Sequence, residues 1–165
     1  MRWIWIDKFI EFQGGKRAVA IKNVTLAEEY LHDHFPGFPV MPESLMVEAM
    51  AQTSGILVGE AKKFQEKVIL AKIKKAVFFN YVKPGDTIKI EAAIESIAPE
   101  AASTTGKITC DDKLIAEIDL MFSHIDQNLA GKEFPKENFV FTGMFESLLR
   151  DVLIACAQQK PEQKQ

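Results

Sequence analysis

Two side chains in this sequence are placed for proton-transfer chemistry: His34, in the Pro/Gly-rich run HFPGFPVMP, and Glu48, in the apolar run ESLMVEAMAQTSGILV that follows it. Histidine has an ordinary pKa close to neutrality, which suits it to take up a proton and return it. A carboxylate among apolar residues is costly without a partner. Glu48 is therefore either satisfied, by backbone amides or by Gln52 one turn on, or retained for its acid chemistry. A loop histidine beside a proline turn is ordinarily just hydrogen-bonded, and only the HFPG run ahead of a proline-started helix moves His34 toward function. His32 lies two residues before His34, but no neighbouring His or Cys completes a ligand set. No metal is expected, His32 reads as an exposed loop residue, and His124, near a strand end, reads as structural.

The elements that must position the pair follow from the same stretch. Pro36, Gly37, Pro39 and Pro42 forbid regular structure before position 42, because proline lacks an N–H and biases its predecessor away from the helical region. A helix can begin at Pro42, with Glu43 at its positive end and Leu45, Ala49, Gln52 and Ile56 recurring near helical spacing. Met46, Val47, Met50, Ala51 and Leu57 make that helix apolar nearly all round, so other structure must wrap it. Residues 3 to 12, a Gln13–Lys16 turn and Arg17–Asn23 read as a hairpin, and Thr25 with Glu28 three residues on predicts a short capped helix through Tyr30. Four strands are expected after the long helix: Val68–Phe79, Thr87–Ser96 after the Pro84–Gly85–Asp86 turn, Ser103–Cys110 and Lys113–Ser123. One apolar helix between antiparallel strands requires an α+β domain in which a curved sheet encloses it.

The chain has 165 residues, the size of one domain, and its 20 basic and 23 acidic residues give a formal charge of −3. Apart from Lys72, Lys74 and Lys75 the cations are dispersed, which argues against nucleic acid as a partner. Cys110 and Cys156 are too few for a disulfide framework and are expected to pack as small apolar groups in a reducing compartment. Asp7, Lys8 and Glu11 interrupt the opening MRWIWIDKFIEF, so neither a signal peptide nor a membrane span is expected and a cytoplasmic location is.

The combination HFPG, PVMP and EAMAQ resembles the β-hydroxyacyl-(acyl carrier protein) dehydratases of the hotdog fold, and closest their glutamate-bearing branch, which dehydrates without isomerising. The likeness covers roughly residues 1–125, including the AIKNVT segment and the Pro-Gly-Asp turn. It implies a hotdog domain over 1–125, with a helical extension at 126–157 and a disordered tail at 158–165 expected from the Phe141, Phe145, Leu148, Leu149, Val152 and Cys156 stripe and the Gln/Lys-rich end. It implies catalytic roles for His34, at C2 of the thioester, and for Glu48, assisting loss of the C3 hydroxyl, with Gly37, Glu43 and Gln52 binding substrate. The implied reaction removes water from a (3R)-3-hydroxyacyl thioester to give the trans-2-enoyl product. The substrate would ride on the phosphopantetheine of acyl carrier protein, or on CoA, with no further cofactor. The implied assembly is a homodimer with shared active sites, or a trimer of such dimers. That chemistry needs a base, an acid and a donor for an enolate-like oxygen, and Glu48 in an apolar tunnel would gain proton-donor character by desolvation. The alternatives are a hotdog protein that binds acyl chains or a carrier without catalysis, and a thioesterase on the same scaffold. The chain departs from the pattern at Glu43, where the family carries glycine at the helix start.

Overall fold

Period-two alternation in the second half of the chain turns one face of a sheet inward: Ile88, Ile90 and Ala92, then Ala102, Thr104 and Ile108, then Ala116, Ile118, Leu120 and Phe122 are all buried. The computed structural model describes residues 3–125 and, beyond them, 128, 129, 132, 133, 143, 147, 148 and 150. In chain order the elements are β1 (Lys8–Gln13), β2 (Arg17–Asn23), α1 (Tyr30–Asp33), α2 (Glu43–Ala61), β3 (Lys67–Phe78), β4 (Thr87–Ile97), β5 (Ala101–Cys110) and β6 (Lys113–Ile125). Two short strands, β7 (Asn128–Leu129) and β8 (Lys132–Glu133), pair with each other. The main sheet is antiparallel with order β1-β2-β4-β5-β6-β3, and α2 packs against β2 through β6. This is the hotdog arrangement: a helix held in a curved sheet.

From Ala49 to Gly59, α2 is buried on every side, which is why its sequence carries no polar stripe. Leu57, Ile88, Ile90, Ile108, Ile118 and Leu120 are fully buried, each contributing on the order of 1.5–3 kcal/mol of apolar transfer free energy. Close approach of helix and sheet depends on Gly106. A Cβ there would collide with Met50 Sδ and lie 3.0 Å from the Ile118 carbonyl oxygen.

Three expectations need correction. The first strand begins at Lys8 rather than residue 3, because β2 ends at Asn23 and offers no ladder to the residues before Asp7, whose N–H donates to Ile21 O at 2.8 Å. The helix anticipated from Thr25 begins only at Tyr30. Thr25 N–H does donate to Glu28 Oε1 at 3.3 Å, but that carboxylate also accepts from the buried Lys22 Nζ at 2.8 Å, and the contact closes a turn instead of starting a helix. Strands β5 and β6 each run two residues further than their alternation suggested, pairing Ala101 with Ser123 and Ala102 with Phe122. Cys110 is buried, which pushes its thiol pKa up, and His124 Nδ1 lies 2.8 Å from Glu66 Oε2 and 3.2 Å from Pro99 O. The anticipated C-terminal stripe, Cys156 and the tail lie outside the described residues, save that Leu148 is half-buried against the core. Among the described residues no helix is long and apolar enough to cross a membrane.

Candidate active site

The proline-rich run folds into an elbow that fixes the histidine. Phe35 and Phe38 exchange backbone hydrogen bonds of 3.0 and 2.9 Å around Pro36 and Gly37, and Gly37 has φ +77°. Proline followed by a positive-φ glycine is the type II turn signature, and open space where a Gly37 Cβ would lie leaves the backbone conformation as the reason for glycine. The elbow closes on itself. Val40 N–H donates to His34 O at 2.9 Å, and His34 Nδ1 lies 3.0 Å from Val40 O. A carbonyl can only accept, so Nδ1 carries a proton, which leaves Nε2 as the ring nitrogen that can take up another. Phe35 stacks on the imidazole at 4.0 Å between centroids.

This histidine lines a cleft of about 220 Å³ with Phe35, Val40, Met41, Glu43 and Tyr81. Met41 N–H donates to Val82 O at 2.8 Å, which ties the elbow to the loop before β4. Phe38 meets Tyr81 edge-on at 5.5 Å and carries Lys83 Nζ 5.0 Å above its ring. Glu43 is the first residue of α2 and is exposed at the cleft.

Glu48 occupies another face of the same helix. It lies five positions on from Glu43, a turn of about 140° around the axis and about 7.5 Å along it. It is half-buried, and Gln52 Nε2 donates to its Oε1 at 2.9 Å. The same amide nitrogen donates to Trp3 O at 2.8 Å, and Gln52 Oε1 accepts from Trp5 N–H at 2.8 Å. Both N–H groups of Gln52 are thus committed to protein acceptors, and this amide is itself buried. Within one chain, then, His34 faces one cleft and Glu48 stands under the N-terminal segment; Glu48 is not among the residues lining the His34 cleft. The N-terminal contact was missed by reading the sequence, since it is made with backbone atoms of residues 3 and 5.

Residues 3–119 match the family model described as FabA-like domain. A protein of Thermomicrobium roseum named 3-hydroxyacyl-(acyl-carrier-protein) dehydratase FabZ is 37% identical over 129 residues, which cover 78% of this chain and 87% of that one. A protein of the same name from Caldanaerobacter subterraneus is 40% identical over 121 residues, 73% of this chain and 86% of its own length. The chain belongs to the FabA-like domain family. Among solved structures, the dehydratase heterocomplex ApeI:P of Xenorhabdus doucetiae superposes with a TM-score of 0.63 at 14% identity, covering 76% of this chain and 85% of that one. A conserved protein of Pseudomonas aeruginosa gives 0.60 at 16% identity, over 72% and 87%. At such identities these two speak for the hotdog fold alone. Inside this FabA-like domain the elbow, the helix start and Glu48 all fall within the matched residues.

Proposed function

We propose that this FabA-like domain is a hydro-lyase that removes water from a 3-hydroxyacyl thioester borne by acyl carrier protein, the activity for which its relatives are named. The observation that carries the reading is the His34 ring, which lines a cleft at the start of α2 with its Nδ1–H anchored on Val40 O, leaving Nε2 as the nitrogen to act as base. In this reading Nε2 takes the C2 proton, the C3–O bond breaks as Glu48 gives its proton to the departing hydroxyl, and the C2–C3 double bond forms with loss of one water. Backbone N–H groups at the elbow and helix start hold the thioester oxygen as it gains charge.

The same reading makes the site shared between two copies, His34 from one and Glu48 from the other. Two features support it. Glu48 is absent from the lining of the cleft that His34 lines in one chain, and β3 is a sheet edge on which Ile73 and Val77 are exposed, continuous in sequence with exposed Phe79 and Tyr81. An edge strand with exposed apolar side chains among its lysines still offers unpaired backbone groups to a second strand. Homodimerisation along β3 would cover it and bring the two halves of each site together.

The test is to mix the purified protein with a 2-enoyl or 3-hydroxyacyl carrier thioester and follow the conjugated enoyl absorbance. Interconversion supports the reading. Release of free thiol instead would make the protein a thioesterase, and no reaction with carrier or CoA thioesters would leave a binding protein.

A further inference from the structure

Residues 3–7 form neither helix nor strand, yet their backbone meets the carboxylate's helix through one side chain. Gln52 accepts from Trp5 N–H at 2.8 Å, donates to Trp3 O at 2.8 Å and donates to Glu48 Oε1 at 2.9 Å. A side-chain amide held at three points cannot rotate, so the N–H aimed at Glu48 is fixed by where residues 3 and 5 lie. With Oε1 accepting from that N–H, the proton of the acid form belongs on the other oxygen, Oε2. The segment also touches the element that carries the histidine. The buried indole of Trp5 packs edge-on against Tyr30 at 5.5 Å, and Tyr30 O accepts from His34 N–H at 3.1 Å. Trp3 in turn meets Trp5 edge-on at 6.0 Å while remaining mostly exposed.

We infer that residues 3–5 are a positioning strap: anchored by Trp5 against Tyr30, they orient Gln52, which in turn orients Glu48 for proton delivery. In this inference Gln52 and Trp5 are positioning residues, Gln52 in place of the substrate contact the resemblance implied, because both of its N–H groups already have protein acceptors. This rests on Glu48 being the acid, as proposed above, and the two ideas fail differently. The strap fixes geometry that matters in the transition state, and misplacing a reacting group by about 1 Å can cost about a hundredfold in rate. Its loss should therefore lower kcat while KM stays close to that of the wild type.

Trp3 and Trp5 are the only two tryptophans in the chain, so intrinsic fluorescence reports the strap directly. The experiment measures kcat, KM and tryptophan emission for the full-length protein and for Glu48→Gln, Gln52→Leu, Trp5→Ala, Trp5→Phe and Trp3→Phe in the carrier-thioester assay. Expected are a kcat reduced about tenfold or more in Gln52→Leu and Trp5→Ala with KM within about threefold, red-shifted emission in Gln52→Leu, and recovery of most of the rate in Trp5→Phe. Trp3→Phe, which keeps the backbone acceptor, should match the wild type. A wild-type kcat in Trp5→Ala overturns the strap. So does a lowered kcat in Gln52→Leu with unshifted emission, because Gln52 would then act without residues 3–5. Wild-type turnover in Glu48→Gln removes the acid and the strap's purpose with it. Should Gln52→Leu not fold, the Trp5 pair decides the matter alone.

Discussion

The two halves of α2 live in different surroundings. From Ala49 to Gly59 the helix is sealed within its own sheet, whereas Leu45, Val47 and Glu48 are only half-buried and the elbow before them leaves Phe35 and Phe38 exposed. The closed half completes itself with residues of one chain, and its glycine at 106 and methionine at 50 fit without room to spare. The open half and its elbow carry both proton-transfer groups, and from the closed half Gln52 alone reaches back to Glu48. A fold whose core is finished and whose site is not can tolerate change at the site with little loss of stability, and change in the core away from Gln52 and Trp5 with little direct effect on chemistry.

The sharpest break in that comparison is at the two proton-transfer groups. His34→Ala and Glu48→Gln should each lower turnover by about a hundredfold or more while the melting temperature moves little, since neither removes core volume. Equal mixtures of the two variants, unfolded and refolded together, should regain part of the activity, because a mixed dimer holds one intact pair. Undiminished turnover in either single variant excludes that residue from the mechanism, and a mixture no better than its parts argues against a shared site.

Glu43 begins the open half, as the first residue of α2. Its place in the first turn suits a carboxylate by up to about 1 kcal/mol. The same helix start would hold a developing oxyanion, and two like charges about 6 Å apart at an effective dielectric of 20 repel by roughly 2–3 kcal/mol. Glu43→Gly is expected to raise dehydration at neutral pH, by as much as about a hundredfold, with a small loss of stability. An unchanged rate would show the side chain turned to solvent, and a lower one would show it engaged with substrate.

In the closed half, Gly106→Ala should destabilise by about 1–3 kcal/mol, because the new methyl group meets Met50 and the Ile118 carbonyl at once. Urea unfolding reads this directly, and kcat per folded molecule should hold. A variant as stable as the wild type would mean Met50 can swing aside, and the core has more slack than its geometry shows.

What could be read in the sequence divides along the same line. The long helix, its wrapping sheet and the elbow were legible because proline, glycine and period-two alternation act locally. The capping pair Thr25/Glu28 misled, since Lys22 competes for the same carboxylate. The strap was illegible for a different reason. Gln52 reaches backbone atoms 47 and 49 positions away, and a backbone acceptor carries no residue-type signature. The Glu48–Gln52 contact could be read, being one helical turn. That Glu43 and Glu48 occupy different faces of α2 follows from their five-position spacing as well.

The smallest expected effect lies on the sheet, among partly exposed charged side chains of β1, β2 and β4. Arg17 bridges Glu91 on β4, Nη2 to Oε2 at 3.0 Å, and also pairs with Glu11 on β1. Its hydrogen bond holds the Glu91 carboxyl below the ordinary carboxylate range. A pKa lower in the folded chain than in the unfolded one means the contribution is complete above the unfolded value, near 4.3, and disappears as pH falls through the folded one. The Glu91 side chain is 46% exposed, so screening keeps the pair below about 1 kcal/mol. Arg17→Ala should therefore cost less than about 1 kcal/mol in urea unfolding at pH 7 and low salt, and less again in high salt or near pH 3. A penalty unchanged at pH 3 would assign the loss to the aliphatic stem of Arg17 packing on the sheet, and the charge to none of it.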